Sequence, residues 1–366
     1  MPHGRESEFS LTGVFRKDRN MRFVVDVLHP IDSHIFHYFI ESLSARGHEF
    51  IVTSRRKECA VELLDAFGIP QHVLSSRGRG IVGKLGELAV RTTRFLKLVR
   101  PFDPDYLISM TGPVVAAASP FLRARTLVLH DNEIPRLVNR AIARLSDAYI
   151  VPRGFTDNVG RNQIFYEGYQ QLAYLHPRVF RPDEAVVRKH GLTGDTPLYV
   201  VRFVEMDAYH DVGERGFSYE AKAALIRRLA DKGRVVITSE EPLPEEFQRF
   251  QLAIPPEDIH HVLAHADILI GESCTMASEA AILGTHAFWI ARTWRGVIND
   301  MSKRYGLVHH FSDNQADAAI NRAEELLARS NLKADARERA DRLLSENVDL
   351  TQWMIDYVER DSGIKL

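Results

Sequence analysis

The chain has 366 residues, of which 45% are hydrophobic and 26% are charged, and its formal net charge is −2. This length suits two domains of roughly 100–200 residues each, and the weakly negative charge argues against a dedicated nucleic-acid binder. No apolar run approaches the roughly 18 residues that a membrane span needs, no signal peptide is evident, and the two cysteines, Cys59 and Cys274, suit a reducing compartment. We therefore expect a cytoplasmic protein whose polar residues 1–20 form a disordered extension.

Predicted strands and helices alternate from residue 21 to residue 168. The strands cover residues 22–28, 49–53, 106–109, 126–129 and 148–151, and the helices cover residues 35–45, 57–67 and 136–145. Such alternation favours a parallel sheet with right-handed crossovers. Residues 21–168 are thus predicted to form an N-terminal Rossmann-like domain.

The alternation stops at residues 169–183, where prolines and aromatic residues suit an ordered linker. It then restarts, with strands over residues 198–202 and 234–238 and helices over residues 219–232, 259–264 and 315–330. Residues 184–332 are predicted to form a second Rossmann-like domain, and residues 333–366 a C-terminal helix and tail. The predicted fold class is α/β, with two parallel-sheet domains and a cleft between them.

Within the second domain, one segment carries a specific signal. Residues 266–270 read as a buried strand, residues 271–275 as a turn of small residues, and a helix from Met276 ends at Gly284 before a second buried strand. The turn leaves the first N–H groups of the helix free to receive an anion such as a diphosphate. The alternative is an ordinary strand–helix–strand unit whose turn is small without being a site.

Ligands of open parallel sheets bind beyond the carboxyl ends of the strands, so the residues that follow each strand are candidates. His29 and His34 follow the first strand, and an imidazole there can act as a base or donate to a phosphate. Alternatively, His34 starts the helix and His29 bonds to nearby backbone.

The run His130, Asp131, Asn132 and Glu133 follows the strand at residues 126–129. Four successive polar residues beside a buried strand are costly unless they face a cleft or a ligand. Asp131 or Glu133 is a candidate general base or acceptor-binding group. The alternative is a helix N-cap by Asp131 or Asn132, with Pro135 in the first turn.

Weaker signals follow other strands. Gly112 lies in a turn after the strand at residues 106–109, Arg202 ends the first strand of the second domain, and Glu240 follows the next strand. These residues are candidates for contacts with a phosphate, a base or a ribose. His261 and His265 are spaced like metal ligands, but no acidic residue accompanies them in an HExxH pattern, so a helix face is the better interpretation.

Residues 77–100 hold the only concentration of positive charge. Seven basic residues alternate with apolar ones, as in helices that lie on an anionic membrane surface. The alternative is the solvated face of a domain helix.

Taken together, the two halves, the loop at residues 130–133 followed by Asn139 and Arg140, and the segment at residues 271–284 resemble the GT-B superfamily. Within it the chain is most similar to a domain-of-unknown-function family of archaea and bacteria, over residues 21–328. Better-known relatives are the N-acetylglucosaminyltransferase that makes the peptidoglycan lipid precursor and the non-hydrolysing UDP-N-acetylglucosamine 2-epimerase. The resemblance implies an acceptor side in the first domain and a nucleotide-sugar side in the second.

The resemblance also implies roles for particular residues. Ser273, Thr275 and Met276 would line the donor diphosphate, and Glu279 would bind the ribose or lie just behind it. Two departures stand against a full match. A glycine-rich first loop is replaced by residues 29–34, and the acids that precede an Asn-Arg pair in the epimerase are replaced by residues 137 and 138.

The leading hypothesis is a metal-independent glycosyltransferase that takes a nucleotide-diphosphate sugar, expected to be UDP-linked, in surface polysaccharide or glycoconjugate synthesis. It needs no cofactor and no nucleic acid, and residues 77–100 would provide a peripheral contact with the inner membrane surface. The predicted catalytic residues are His29, His34 and Asp131. The predicted substrate-binding residues are Gly112, His130, Asn132, Glu133, Arg202, Glu240, Gly271, Ser273, Thr275, Met276 and Glu279. The alternatives are a UDP-sugar 2-epimerase-like isomerase and a non-catalytic sugar-nucleotide-binding protein.

Overall fold

The structure, a computed structural model, describes residues 19–57, 59–76, 80–203, 218–239 and 242–366. Three predictions fall wholly or partly outside these ranges. They concern the extension up to residue 18, the start of the basic stretch at residues 77–79, and Glu240 as a nucleotide contact.

The first sheet contains seven strands, all parallel, in the order β3-β2-β1-β4-β5-β6-β7. The strands are β1 (Arg22–Val27), β2 (Glu49–Arg56), β3 (His72–Ser76), β4 (Tyr106–Met110), β5 (Arg125–Leu129), β6 (Ala148–Pro152) and β7 (Gln163–Tyr166). The helices of this part are α1 (Pro30–Ser44), α2 (Ala60–Ala66), α3 (Gly80–Val99), α4 (Pro113–Ala118) and α5 (Arg136–Arg144). The order reverses between β1 and β4, and open sheets of this kind bind ligands at such a point.

The second sheet contains five parallel strands in the order β12-β11-β10-β8-β9. The strands are β8 (Leu198–Phe203), β9 (Arg234–Ser239), β10 (Ile268–Gly271), β11 (His286–Ile290) and β12 (Val308–Phe311). The helices from the linker to the C-terminus are α6 (Leu172–Leu175), α7 (Glu184–Lys189), α8 (Tyr219–Ala230), α9 (Ile259–His265), α10 (Cys274–Ile282), α11 (Gly296–Tyr305), α12 (Ala316–Leu327), α13 (Leu332–Glu346) and α14 (Leu350–Ser362). Here the order reverses between β8 and β10, so α10 starts at the second switch point.

The central strands of both sheets are buried on both faces. All five residues of β4, β6 and β11 are buried, as expected for parallel strands covered by helices. The predicted α/β fold with two Rossmann-like parallel sheets is therefore confirmed. The domain boundaries at residues 168, 183 and 332 stay a prediction.

The C-terminal tail crosses back to the first domain. The last helix, α14, packs against α1 and the short linker helix α6. Asp361 near its end accepts a hydrogen bond from the Tyr106 hydroxyl at 2.6 Å and pairs with Arg125 at 2.6 Å. The tail thus ties the chain's C-terminus to the first sheet.

Two helices, α1 and α10, start earlier than predicted. The loop predicted after the first strand is the first turn of α1, because the His29 side chain accepts from the Ile31 N–H and Asp32 completes a capping box. α10 begins at Cys274 because Ser273 is its N-cap. Strands β3, β7 and β12 and helices α4 and α7 have four to six residues, too few to show a clear period, and the sequence did not predict them. Helix α11, with ten residues, and the four-residue helix α6 inside the predicted linker were also missed. No helix among the described residues is both long enough and apolar enough to cross a bilayer.

Candidate functional site

A cavity of about 720 Å³ lies between the two domains. Its first-domain wall comes from the carboxyl ends of β1, β4 and β5 and from one face of α3. Its second-domain wall comes from Cys274 and Thr275 in the first turn of α10 and from Arg295, which follows β11. The cavity therefore joins the two switch points of the fold.

The loop after β5 is held in place from both domains. Arg295 donates a hydrogen bond to the Asn132 side-chain oxygen, and the Asn139 amide donates to the Asn132 carbonyl at 2.8 Å. The Glu133 carboxylate accepts from the Gly296 N–H at 3.2 Å, at the first turn of α11. The loop thus bridges the cleft at its base, and Glu133 serves as part of that bridge.

The predicted N-cap by Asp131 or Asn132 is wrong, because Pro135 occupies the N-cap position of α5. The Asn132 side chain instead accepts from the Ile134 N–H at 3.0 Å, which closes a local turn. That turn leaves the Asp131 carboxyl at the cavity wall.

Asp131 has the electrostatics of a general base. Burial raises its pKa to about 6, with nearby Glu133 pushing in the same direction and Arg295 opposing. A carboxylate with a pKa near 6 is ionised at neutral pH and holds a proton more tightly than an ordinary aspartate. Such a group suits proton abstraction from a hydroxyl.

His130, beside it, is almost fully buried, and burial lowers its pKa to about 4. Its ring is therefore neutral at physiological pH. The Asn132 backbone and the Asn139 side chain lie close enough to the ring to oppose this lowering of the pKa in part. A neutral imidazole that lines a cavity can donate to one ligand atom or accept from another, but it adds no positive charge.

The turn before α10 has the geometry of an anion site. The Ser273 hydroxyl accepts from the Met276 N–H at 3.3 Å, so one of the free N–H groups at the helix start is capped. Thr275 lines the cavity, whereas the Met276 sulfur packs 4.0 Å from the Thr238 hydroxyl. The helix N-terminus adds a partial positive charge to its uncapped N–H groups.

Two glycines among the predicted site residues have packing roles. A Cβ on Gly271 would lie 2.8 Å from the Arg202 Cβ, so a side chain would push β8 and β10 apart at their carboxyl ends. Gly112 has φ 65°, and a Cβ there would lie 2.5 Å from a Val128 methyl group. Its neighbour Thr111, which lines the cavity, also has a positive φ of 58°, an uncommon conformation that clusters at functional sites.

His34 and Glu279 lie in a buried cluster behind the cavity. The His34 ring stacks on Tyr174 with 5.1 Å between ring centroids and meets His260 edge-on at 4.8 Å. Glu279 accepts from the Tyr174 hydroxyl at 2.7 Å and lies 3.3 Å from the His260 ring. Burial holds the pKa of His34 well below its usual value. This cluster joins α1, the linker helix α6, α9 and α10, and so packs the domains together.

Some of the predicted catalytic and substrate-binding residues line the cavity, and others do not. Among the described residues, its lining includes the predicted residues His29, His130, Asp131, Asn132 and Thr275. Outside that lining lie His34, Gly112, Glu133, Arg202, Gly271, Ser273, Met276 and Glu279. Of these, Gly112, Gly271 and Ser273 shape the turns that border it.

Seven further polar residues line the cavity without having been predicted as site residues, namely Asp32, Arg55, Glu87, Arg91, Thr111, Gln170 and Arg295. Arg295 follows β11, so the rule that points to residues after strands would have found it. Arg91 was counted with the surface charges of the basic stretch, yet its side chain is 1% exposed. In the described part of the chain, no group of three His, Cys, Asp or Glu residues is arranged to hold a metal ion.

Sequence comparisons give two relatives that differ in how much of the chain they match. An uncharacterized protein of Methanocaldococcus jannaschii is 24% identical over 275 residues, which cover 72% of this chain and 80% of the relative. The UDP-N-acetylglucosamine–N-acetylmuramyl-(pentapeptide) pyrophosphoryl-undecaprenol N-acetylglucosamine transferase of Desulfotalea psychrophila is 30% identical over 115 residues, which cover 29% of this chain and 31% of the relative.

Solved structures show the same fold. The calicheamicin glycosyltransferase aligns with a TM-score of 0.59 at 16% identity, covering 94% of this chain and 98% of its own. The UDP-GlcNAc 2-epimerase from Neisseria meningitidis, solved with UDP-GlcNAc bound, aligns with a TM-score of 0.64 at 11% identity, covering 93% of this chain and 100% of its own. At these identities the likeness establishes the fold alone, which is that of GT-B glycosyltransferases and UDP-sugar epimerases.

One family model spans nearly the whole described chain, from residue 21 to residue 359. This match covers both sheets and the tail helix, and it agrees with the family expected from the sequence. The chain belongs to the family described as "Protein of unknown function (DUF354)".

Proposed function

We propose that this protein is a metal-independent glycosyltransferase that moves a sugar from a nucleotide diphosphate, expected to be UDP, to an acceptor hydroxyl. The observation that carries the proposal is the shared cavity, which has Asp131 on its first-domain wall and the first turn of α10 on its second-domain wall. A base and an anion-binding helix start are the two devices that such a transfer needs.

The proposed reaction is a single displacement. The acceptor oxygen forms a bond to the anomeric carbon of the donor, and the bond from that carbon to the diphosphate oxygen breaks. The proton of the acceptor hydroxyl passes to Asp131. The negative charge that develops on the leaving diphosphate is stabilised by the N–H groups at the start of α10 and by the guanidinium of Arg295. This stabilisation needs no metal ion.

One observation favours transfer over epimerisation. The positions where the resemblance expects the epimerase acids hold Leu137, which is 82% exposed, and Val138, which lines the cavity. Elimination and re-addition on a sugar ring require acid–base groups placed on the ring, and an aliphatic side chain cannot supply them. The carboxylates on that wall are Asp32, Glu87 and Asp131. Asp32 accepts from the Leu28 and His29 N–H groups and Glu87 accepts from the Ser75 hydroxyl, so we take Asp131 as the base.

The proposal is tested by incubating the pure protein with a panel of UDP-sugars, with and without mixtures of candidate acceptors, and by identifying products with mass spectrometry. The proposal expects free UDP together with a glycosylated acceptor. A change of sugar configuration without any acceptor would instead support the isomerase. Binding with no turnover under either condition would leave the binding protein as the surviving alternative.

We also propose that any membrane contact of residues 77–100 uses apolar side chains. Leu85 and Val90 on α3 are 63% and 50% exposed, whereas Arg91 is buried and cannot meet lipid headgroups. Co-sedimentation with vesicles that contain anionic lipid measures this contact. Val90→Asp is expected to reduce it about tenfold because it exchanges apolar area for a negative charge, and Val90, unlike Leu85, does not line the cavity. Equal sedimentation of the protein and the variant would rule out this surface.

A further inference from the structure

Two arginines lie close together at the first-domain end of the cavity. Arg55, near the end of β2, donates to the Leu28 carbonyl at 3.1 Å, and Arg91, in α3, donates to the Val27 carbonyl at 3.3 Å. Both guanidinium groups therefore bind consecutive carbonyls where β1 ends, and both line the cavity. α10 lies on the opposite, second-domain wall, so this pair is separate from the proposed donor diphosphate site.

The carboxylates around the pair use only part of its hydrogen-bonding capacity. Arg91 meets Asp26 at 2.5 Å, and Asp26 is fully buried and also accepts from the Thr53 hydroxyl at 2.6 Å. Arg55 lies 3.7 Å from Glu87. Two positive charges thus face two negative charges, and the pairing offsets part of the cost of burying them.

Three donor nitrogens remain without a hydrogen-bond partner within the described residues. They are Nε and Nη1 of Arg91 and Nε of Arg55. Arg91 is 1% exposed, so its free donors are buried rather than solvated. Buried donors are nearly always satisfied in native proteins, and an unsatisfied one calls for a ligand or a bound water.

We propose that Arg55 and Arg91 form an oxyanion subsite on the acceptor side of the cavity, which binds a phosphate or carboxylate group of the acceptor. A guanidinium fork matches the paired oxygens of these groups. Its identity as an acceptor subsite rests on the proposed function, whereas the binding of an oxyanion does not. The sequence analysis gave no role to either arginine.

The cavity that the subsite borders is mainly apolar, with Leu28, Leu88 and Met110 among its lining residues. Apolar surroundings strengthen an ion pair because they exclude water. Glu87 and Asp26 repel any anion that enters the subsite. An anion therefore binds only if it has several oxygen atoms that accept hydrogen bonds from the unpartnered arginine donors. The subsite should therefore prefer oxyanions over halide ions.

Calorimetric titration of the UDP-saturated protein with inorganic phosphate, methyl phosphate and acetate tests the subsite. Saturation with UDP keeps the donor site occupied, and the preferred probe shows whether the acceptor group is a phosphate or a carboxylate. Arg55→Gln and Arg91→Lys are each expected to weaken binding of the preferred probe by about tenfold or more, since each loses charge-assisted hydrogen bonds. Arg91→Lys keeps a positive charge beside Asp26, so the fold should be retained.

Arg94→Gln is the matched control, because Arg94 lies on the same helix but donates to the Leu74 carbonyl and does not line the cavity. Binding to this variant should equal that of the unchanged protein. If Arg91→Lys does not fold, the affinity of Arg55→Gln for the preferred probe alone tests the subsite. The Arg55 side chain is 22% exposed, so the fold should tolerate its replacement.

The proposal is overturned if none of the three probes binds, if both arginine variants bind as tightly as the unchanged protein, or if phosphate and UDP compete for one site. A failure of UDP itself to bind is a different result. It contradicts the proposed glycosyltransferase, while the oxyanion titration can still be carried out without UDP.

Discussion

Asp131→Asn is expected to lower the rate of sugar transfer by about 10²–10⁴-fold, the usual contribution of a positioned general base. The asparagine keeps the shape of the side chain but cannot accept the proton of the acceptor hydroxyl. UDP affinity should stay unchanged, because the donor diphosphate binds across the cavity at α10. Initial rates with the donor and acceptor identified by the product panel measure this effect.

The pH profile gives a second readout of the same group. Burial raises the pKa of Asp131 to about 6, and only the ionised form can act as a base. The transfer rate should therefore be constant above about pH 6 and fall tenfold for each pH unit below it. Asp131→Asn should abolish this fall on the acid side of the pH profile. Asp195→Asn is the control, since Asp195 is an exposed carboxylate outside the cavity lining. A profile that keeps its acid limb in Asp131→Asn would assign the base to another residue.

Gly271→Ala is expected to lower the free energy of unfolding by about 1–3 kcal/mol or more, as overpacking of a core does. The added Cβ would lie 2.8 Å from the Arg202 Cβ and closer still to the Arg202 carbonyl oxygen. That oxygen accepts from the Glu272 N–H at 2.9 Å, so it cannot move without breaking the pairing of β8 with β10. Because α10 starts three residues later, UDP affinity should fall as well.

Gly86→Ala provides the matched comparison. A Cβ at Gly86 has no heavy atom within 4 Å, and the residue lies in the interior of α3. Alanine there should leave stability unchanged or raise it by up to about 1 kcal/mol, because alanine is the better helix former. Urea unfolding of both variants measures the difference, and equal midpoints would show that the approach of β8 to β10 is not the constraint described.

The turn before α10 was predictable because its chemistry is local. Small residues after a buried strand, a helix former and Gly284 with a positive φ of 79° lie within a few residues of one another. The start of α1 was less predictable, since histidine is an uncommon N-cap and the pairing of His29 with Asp32 is visible only in three dimensions. N-cap preferences therefore predict the serine-capped start of α10 but not the histidine-capped start of α1.

The site residues depend more on long-range packing than the fold does. The resemblance implied that Glu279 binds the ribose or lies just behind it, and its role stays a prediction; the contacts of its carboxylate with Tyr174 of the linker and His260 of α9 were not foreseen. Arg91 was assigned to the surface because it lies in a basic stretch, but it faces Asp26 of β1, 65 residues away in the chain. No local sequence pattern identifies such distant partners. The sequence therefore predicts the edge of the sheet where the site lies, but not every side chain that lines the site.

The central claim is that UDP binds in the cavity between the two domains, against the first turn of α10. Calorimetric titration with UDP of the unchanged protein and of Thr275→Trp tests it most directly, because Thr275 lines the cavity and a tryptophan would fill the space meant for the diphosphate. The account predicts saturable binding by the unchanged protein and at least about tenfold weaker binding by a folded Thr275→Trp variant, the loss of a charge-assisted contact or more. No UDP binding by the unchanged protein, or equal affinity in the two, would contradict it.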